Sequence, residues 1–142
     1  MGRILGIDYG ERRVGLAVSD PTATIAQPLP TLTRRRGKRP PVQAIANLIA
    51  EYEAREVVLG LPLTPEGEES EWTREVREFG TAVGERAGVP VRYIDERFTS
   101  VRAERAVRGS GLKRSEREEK GRIDAAAATL ILQTFLDRRD DV

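Results

Sequence analysis

The chain has 142 residues, of which 39% are hydrophobic and 33% charged, and its formal net charge is +1 at pH 7. This length is within the usual size of one domain, so we expect a single domain over residues 1–142. Cysteine and histidine are both absent. Their absence excludes disulfides, thiolate zinc sites, serine-histidine triads and cysteine nucleophiles, which leaves carboxylates as the main candidates for catalysis.

The sequence has no apolar run near the roughly eighteen residues that a membrane span needs, and no charged-then-apolar leader. We therefore expect a cytoplasmic protein without a membrane partner. Charge is unevenly distributed, because residues 34–39 and 97–122 are rich in basic side chains whereas residues 51–85 are acidic. This segregation indicates either a surface that faces a polyanion or ordinary solvated faces.

The beginning of the chain predicts an antiparallel meander. Residues 3–8 and 13–19 are β-rich runs, and the intervening residues 9–12 have the length of a hairpin connection. A third strand is expected at residues 24–29.

The next part of the chain predicts a loop, a helix and a buried strand. Prolines on both sides of the arginine-rich run 34–39 favour an exposed and mobile loop, and they stand at positions 28, 30, 40 and 41. Apolar residues at helical spacing predict a helix over 44–54, and the run 56–60 predicts a buried strand.

A second helix is predicted between Ser70, a candidate N-cap, and Gly88. Its apolar stripe consists of Trp72, Val76, Phe79 and Val83. We expect Trp72 and Phe79 to belong to the core rather than to a base-stacking surface. A strand follows at 91–94, and the alternation of helices and strands predicts right-handed crossovers with parallel pairing, so the whole sheet is mixed.

The last part of the chain predicts two helices. A short helix capped by Thr99 or Ser100 is expected to run to residue 108, followed by a flexible break at 109–111. A capping box formed by Ser115 and Glu118 predicts the start of the final helix. Alanines at 125–128 would allow that helix to approach the sheet closely.

Three carboxylates stand in unusual surroundings. Asp8 ends an apolar strand, Glu96 directly follows another strand, and Asp124 lies beside the apolar face of the final helix. Because strand ends and a closely packed helix meet in space, we expect these acids to converge. Magnesium and manganese prefer hard oxygen ligands, so the cluster is a candidate site for one or two divalent cations that serve phosphoryl transfer.

Five basic residues are candidate phosphate contacts, with surface solubility as the alternative for each of them. They are Arg12, Arg13, Arg97, Lys113 and Arg114. Lys113 and Arg114 are expected in a flexible stretch before the final helix, where a loop could close over a substrate. Gly10 and Gly60 could admit a nucleic-acid backbone, or they could serve ordinary turn geometry.

Five blocks of the sequence, in order, resemble the YqgF family, also called RuvX. They are Gly6-Ile7-Asp8-Tyr9-Gly10, Val14-Gly15-Leu16-Ala17-Val18-Ser19-Asp20, Gly60-Leu61-Pro62-Leu63, Asp95-Glu96-Arg97-Phe98-Thr99-Ser100 and Asp124-Ala125-Ala126-Ala127-Ala128. The resemblance implies an α/β, ribonuclease H-like fold, with a mixed five-stranded sheet flanked by helices. It also implies a Holliday-junction-resolvase-like protein, or the nuclease that matures the 5′ end of small-subunit ribosomal RNA in bacteria.

The resemblance assigns Asp8, Glu96 and Asp124 as the catalytic, metal-binding acids. The similarity to RuvC-type resolvases is looser, because their second acid ends the fourth strand, where this chain has Gly60-Leu61-Pro62. Glu96 would have to supply that ligand. Asp20 or Asp95 could assist, although Asp95 is more simply explained as a helix cap or an ion-pair partner.

The leading hypothesis is a hydrolase, a metal-dependent endonuclease that uses Mg²⁺ or Mn²⁺ and acts on structured RNA, with a precursor of 16S rRNA as its substrate. The first alternative has the same metal-dependent chemistry but a different substrate, four-way DNA junctions, which a homodimer would cut symmetrically. A second alternative is a nucleotide-binding or non-catalytic module, because Asp8-Tyr9-Gly10 also resembles the phosphate loop of actin-like ATPases. Those proteins use two lobes, and 142 residues leave no room for the second.

Overall fold

The computed structural model describes residues 2–34, 39–98 and 114–139, with the backbone alone at residues 98 and 114–122. Its five strands are β1 (Ile4–Tyr9), β2 (Arg13–Ser19), β3 (Ala26–Thr33), β4 (Glu56–Leu61) and β5 (Val91–Asp95). They form one sheet in the order β3-β2-β1-β4-β5. The first three strands pair antiparallel, whereas β4 runs parallel to both β1 and β5. The predicted mixed sheet of five strands is confirmed.

Helices cover both faces of this sheet. They are α1 (Val42–Tyr52), α2 (Glu71–Ala87) and α3 (Arg114–Arg139), and a short 3₁₀ turn at Glu96–Phe98 follows β5. Successive side chains of a strand point to opposite faces. In β1, Leu5 and Ile7 accordingly pack in a core cluster with α1 and α2, whereas Ile4 packs with α3. Among the described residues, no helix combines the length and apolar character that a membrane crossing requires.

Strand β3 extends beyond its predicted end at residue 29 and includes both Pro28 and Pro30. The sequence favoured a loop here because proline cannot donate a backbone hydrogen bond. The prolines are tolerated because β3 is an edge strand that pairs only with β2. Of the predicted mobile loop, residues 35–38 lie outside the described part of the chain.

The predicted boundaries of α2 are confirmed. The Ser70 hydroxyl accepts a hydrogen bond from the backbone N–H of Thr73, and the Thr73 hydroxyl accepts one from the N–H of Ser70. This reciprocal capping box fixes the first turn. The helix ends at Gly88, whose φ of 70° is the left-handed conformation that glycine adopts without strain.

The start of α3 differs from the prediction. Arg114 already belongs to the helix, not to a flexible stretch before it, because the helical backbone includes it. The predicted short helix at 99–108, the break at 109–111 and Lys113 lie outside the described residues. The side chains of the predicted Ser115 and Glu118 capping box also lie outside the description.

The close approach of α3 to the sheet is confirmed, and glycines in the strands make it possible. A Cβ atom at Gly15 would lie 2.6 Å from the carbonyl carbon of Asp124. A Cβ atom at Gly6 would lie 2.7 Å from the Cβ atom of Leu132. Neither strand position could therefore carry a side chain without moving the helix, and Ala128, on the contact face of the helix, is fully buried.

Candidate active site

Asp8 lies near the end of β1, between two glycines on neighbouring strands. It pairs directly with Gly15 of β2. On the other side, Ile7 pairs with Leu59 of β4, so the next position of the register places Asp8 beside Gly60. Asp8 is only 2% exposed and points to the face covered by α3, because it alternates along β1 with Ile7, which faces α1 and α2.

The two glycines leave space on either side of Asp8, and the other two predicted acids lie there. The backbone of Asp124 rests on Gly15, and the side chain of Glu96 rests on Gly60. A Cβ atom at Gly60 would lie 2.8 Å from Oε1 of Glu96 and 2.6 Å from Cδ1 of Ile131. The space above Gly60 is therefore filled by the protein itself, which corrects the expectation that it could admit a nucleic-acid backbone.

Glu96 is 4% exposed, so two nearly buried carboxylates, Asp8 and Glu96, lie at one edge of the sheet. The structure places the three predicted acids at neighbouring positions of this edge. Within the described ranges, however, no three acidic side chains lie close enough together, in the conformations they adopt here, to hold one metal ion.

Asp124 is engaged by an arginine. Nε of Arg13, at the start of β2, donates to Oδ2 of Asp124 over 2.9 Å, and the two side chains are 20% and 16% exposed. The two residues are 111 positions apart in the chain, so nothing in the sequence indicated the pair. Arg13 was predicted as a phosphate contact. It lies at the site, where its guanidinium group is hydrogen-bonded to Asp124, a candidate metal ligand.

Asp8 opens into a surface cleft of about 370 Å³, which we call the Asp8 cleft. Its walls are Asp8, Asp124, Arg12, Arg13, Trp72 and the turn at residues 9–11. The turn requires a glycine, because a Cβ atom at Gly10 would lie 2.6 Å from the carbonyl oxygen of Arg13. Ordinary turn geometry thus accounts for Gly10.

Trp72 lines the cleft although the sequence did not place it there. It was expected in the core with Phe79, and Phe79 is indeed 3% exposed. Trp72 is half-buried and packs against the same core cluster, as expected, but it also forms a wall of the Asp8 cleft. Its position as the second residue of α2, at the outer end of the apolar stripe, was the available signal.

The residues on either side of Glu96 form an ion pair with each other. Nη2 of Arg97 donates to Oδ2 of Asp95 over 2.7 Å, and the backbone N–H of Arg97 donates to Oδ1 of Asp95 over 2.9 Å. Nη1 of Arg97 also reaches the carbonyl oxygen of Pro65. The hydrogen bond to Asp95 raises the pKa of Arg97 above its ordinary value. The expectation that Asp95 serves as a cap or ion-pair partner is confirmed.

Asp20 lies at the opposite end of β2 from Arg13 and cannot assist Asp8. Its carboxylate accepts hydrogen bonds from the backbone N–H groups of Ile25 and Thr24, each over 2.8 Å, and from the Thr22 hydroxyl. These bonds, of which the one from Ile25 contributes most, hold the pKa of Asp20 well below its ordinary value. Asp20 therefore stabilises a turn.

Comparison with protein families identifies relatives over almost the entire chain. A model of the RuvX family, described as Holliday junction resolvase, matches residues 2–138. A protein of Koribacter versatilis is 46% identical over 97% of this chain and 88% of its own length, and one of Chloroflexus aggregans is 45% identical over 96% and 94%. Both carry the name "Putative pre-16S rRNA nuclease".

Comparison with solved structures identifies the same fold. RuvC of Thermus thermophilus in complex with a Holliday junction substrate superposes with a TM-score of 0.57 at 16% identity, over 99% of this chain and 96% of RuvC. A second structure of Thermus thermophilus RuvC gives 0.54 at 18% identity, over 98% and 96%. The predicted ribonuclease H-like fold is confirmed by these superpositions.

Proposed function

Because the chain belongs to the RuvX family, we propose that it is a divalent-metal-dependent nuclease that hydrolyses phosphodiester bonds in structured RNA. The proposed substrate is pre-16S rRNA, cut at its 5′ end, since relatives with 45% and 46% identity are named for that precursor. The observation that carries the proposal is the position of Asp8 between Glu96 and Asp124, in a cleft that also holds Arg12 and Arg13.

The donor groups at this edge fit a hard divalent cation. Asp8 and Glu96 are nearly buried carboxylates, and Gly60 leaves the space that the Glu96 side chain occupies. We assign Asp8, Glu96 and Asp124 as the residues that would hold Mg²⁺ or Mn²⁺. When bound, such a cation lowers the pKa of a water and stabilises the oxygen that leaves.

Arg13 and Arg12 bind and orient the substrate in this proposal. A guanidinium group is as good a partner for a phosphate as for a carboxylate. When a phosphodiester enters the Asp8 cleft, Arg13 exchanges Asp124 for a phosphate oxygen, and the Asp124 carboxylate becomes available to the cation site. Arg12, on the same cleft wall, contacts a neighbouring phosphate.

Four-way DNA junctions are the second candidate substrate. Two observations favour them: the family description and the superposition on a RuvC structure that contains a junction. A junction resolvase cuts two strands symmetrically and therefore acts as a dimer. Symmetric nicking distinguishes this activity from cleavage of an RNA precursor.

The test compares cleavage of two labelled substrates in Mn²⁺: an RNA that spans the 5′ end of 16S rRNA, and a synthetic four-way junction. We expect the wild type to cut the RNA and Asp8→Asn to cut it roughly a hundredfold more slowly or not at all, because the exchange removes the charge of a cation ligand and keeps its shape. Asp137→Asn is the matched control, since Asp137 is exposed near the far end of α3.

The same experiment decides between the substrates. Efficient symmetric nicking of the junction, with slow RNA cleavage, would replace RNA by DNA junctions as the substrate. Equal cleavage of RNA by Asp8→Asn and wild type would overturn the proposed nuclease site.

A further inference from the structure

One wall of the Asp8 cleft is Trp72, which belongs to a group of stacked aromatic rings. The rings of Tyr9 and Phe79 lie 4.0 Å apart between centroids and within 10° of parallel. The rings of Tyr9 and Trp72 lie 5.5 Å apart and within 6° of parallel. Tyr9 thus contacts both aromatic residues of α2.

The helix geometry sets the order of the three rings. Trp72 and Phe79 are seven residues apart on α2, which corresponds to about 10 Å along the helix axis. Tyr9, which stacks on both rings, therefore lies between them, and Cζ of Arg34 also lies over the Tyr9 ring, 4.7 Å from its centroid. Exposure follows the same order, because Phe79 and Tyr9 are 3% and 5% exposed whereas Trp72 is half-buried.

Hydrogen bonds fix the helical turn that carries Trp72. The capping box of Ser70 and Thr73 fixes the first turn of α2, in which Trp72 lies. The Thr73 side chain is fully buried and its hydroxyl donates to the carbonyl oxygen of Pro62, which ties this turn to the loop after β4. The backbone at Trp72 is thereby fixed and Tyr9 stacks on its ring, so little conformational entropy is lost when a ligand stacks on it.

The other walls of the cleft define the chemistry of the ligand. The lining contains the acids Asp8, Glu11 and Asp124 and the bases Arg12 and Arg13, so a phosphate that enters the cleft can pair with an arginine beside the acids. Trp72 lines the same cleft, so a base attached to such a phosphate can stack on its ring. The volume of about 370 Å³ is within the range of cavities that bind small ligands.

We propose that Trp72 is a stacking platform for one unpaired nucleobase, adjacent to the phosphodiester that is cut. This inference rests on the proposed function, because it places the base next to the nuclease site. A base within a duplex has both faces covered by its neighbours, so the platform accepts a base in a single strand or one extruded from a helix. Trp72 would then favour cleavage where a structured RNA is locally unpaired.

The chain contains one tryptophan, so its intrinsic fluorescence reports on Trp72 alone. The protein is used as Asp8→Asn, which keeps the substrate uncut. It is titrated with a labelled single-stranded RNA of about ten nucleotides and with an RNA of equal length whose nucleotides lack bases. Binding of each RNA is followed by the anisotropy of its label, independently of the tryptophan emission.

We expect the RNA that contains bases to quench the emission and to bind roughly tenfold more tightly than the abasic RNA. In the same background, Trp72→Leu should lower the affinity for the first RNA to that for the second, whereas Trp72→Phe should retain most of it. Tyr52→Leu is the matched control, since Tyr52 is a half-buried aromatic residue at the end of α1. Circular dichroism confirms that each variant is folded.

Equal binding of the two RNAs without quenching would overturn the platform and leave Trp72 as a core residue. Cleavage by the wild-type protein is measured in parallel. Cleavage without quenching contradicts only the platform, whereas quenching without cleavage contradicts only the proposed nuclease activity.

Discussion

The two faces of the sheet differ in their glycine content. The face covered by α1 and α2 presents large buried side chains, which include Leu5, Ile7, Leu16 and Leu59. The face covered by α3 also buries large side chains, such as Ile4 and Val58, but it presents Gly6, Gly15 and Gly60 as well. The helix covers these glycines with the Leu132 side chain, the Asp124 backbone and the Ile131 side chain, respectively. We conclude that apolar volume stabilises both faces, whereas the close approach that the glycines of the second face allow also positions the carboxylates.

The largest expected loss of stability is on the first face. Ile45 of α1 is fully buried and lies on the opposite side of the sheet from the acids. Ile45→Ala should lower the free energy of unfolding by about 3 kcal/mol, because it leaves a cavity. Chemical denaturation measures this loss, and cleavage per folded molecule should be unchanged.

Ile45→Val is the graded control, with an expected loss of about 1 kcal/mol. A folded Ile45→Ala protein that no longer cleaves would contradict the separation between the two faces.

Gly15→Ala tests the second face. The added Cβ atom would collide with the backbone of Asp124, so α3 must move away from β2. We expect the free energy of unfolding to fall by about 2 kcal/mol. Unlike Ile45→Ala, this variant should also lose most of its cleavage activity, because Asp124 moves relative to Asp8.

Gly2→Ala is the matched control for this exchange, since its Cβ atom would meet only the flexible side chain of Arg55, at 3.2 Å. Wild-type stability and cleavage in Gly15→Ala would show that the close approach does not position Asp124.

A smaller effect is expected where the Asp95 and Arg97 pair holds the segment that carries Glu96. Arg97→Lys removes the planar fork that makes parallel hydrogen bonds to Asp95. Cleavage should slow roughly tenfold, with a higher half-saturating Mn²⁺ concentration, because Glu96 is less firmly placed.

The melting temperature should change little, because this arginine is exposed. Arg77→Lys, which alters the exposed pair with Glu69, is the control. If the two variants have the same Mn²⁺ dependence, Arg97 does not position Glu96.

The smallest effect is expected for Arg13→Gln, which removes one phosphate contact. RNA affinity should fall severalfold, and the slope of log affinity against log salt should become shallower by about one. Filter binding at several salt concentrations measures both quantities. Arg55→Gln serves as the control, because Arg55 lies beside the beginning of β1, away from Asp8. An unchanged salt slope in Arg13→Gln would mean that Arg13 does not contact a phosphate.

The sequence predicted the parts of this structure that depend on local patterns. Runs of β-forming and apolar residues indicated the strands, Ser70 indicated the start of α2, and the alanines at 125–128 indicated the close approach of α3. The full extent of β3 could not be predicted, because Pro28 and Pro30 disfavour a strand unless it lies at an edge, and the edge is a property of the whole sheet.

Contacts between residues that are far apart in the chain could not be predicted from the sequence either. The Arg13 and Asp124 pair joins the second strand to the last helix, and only the packing of that helix on Gly15 brings the two side chains together. The position of Trp72 in the cleft was missed for a similar reason. Trp72 packs against the core, as its place in the apolar stripe of α2 predicted, but it also lines the Asp8 cleft.

The most direct test of the cation site is a crystal structure of the protein soaked in Mn²⁺, with the ion located by its anomalous scattering. We predict a peak in contact with the carboxylates of Asp8 and Glu96, and a shift of Asp124 away from Arg13. Manganese bound only elsewhere on the protein, with no peak at Asp8, would contradict it.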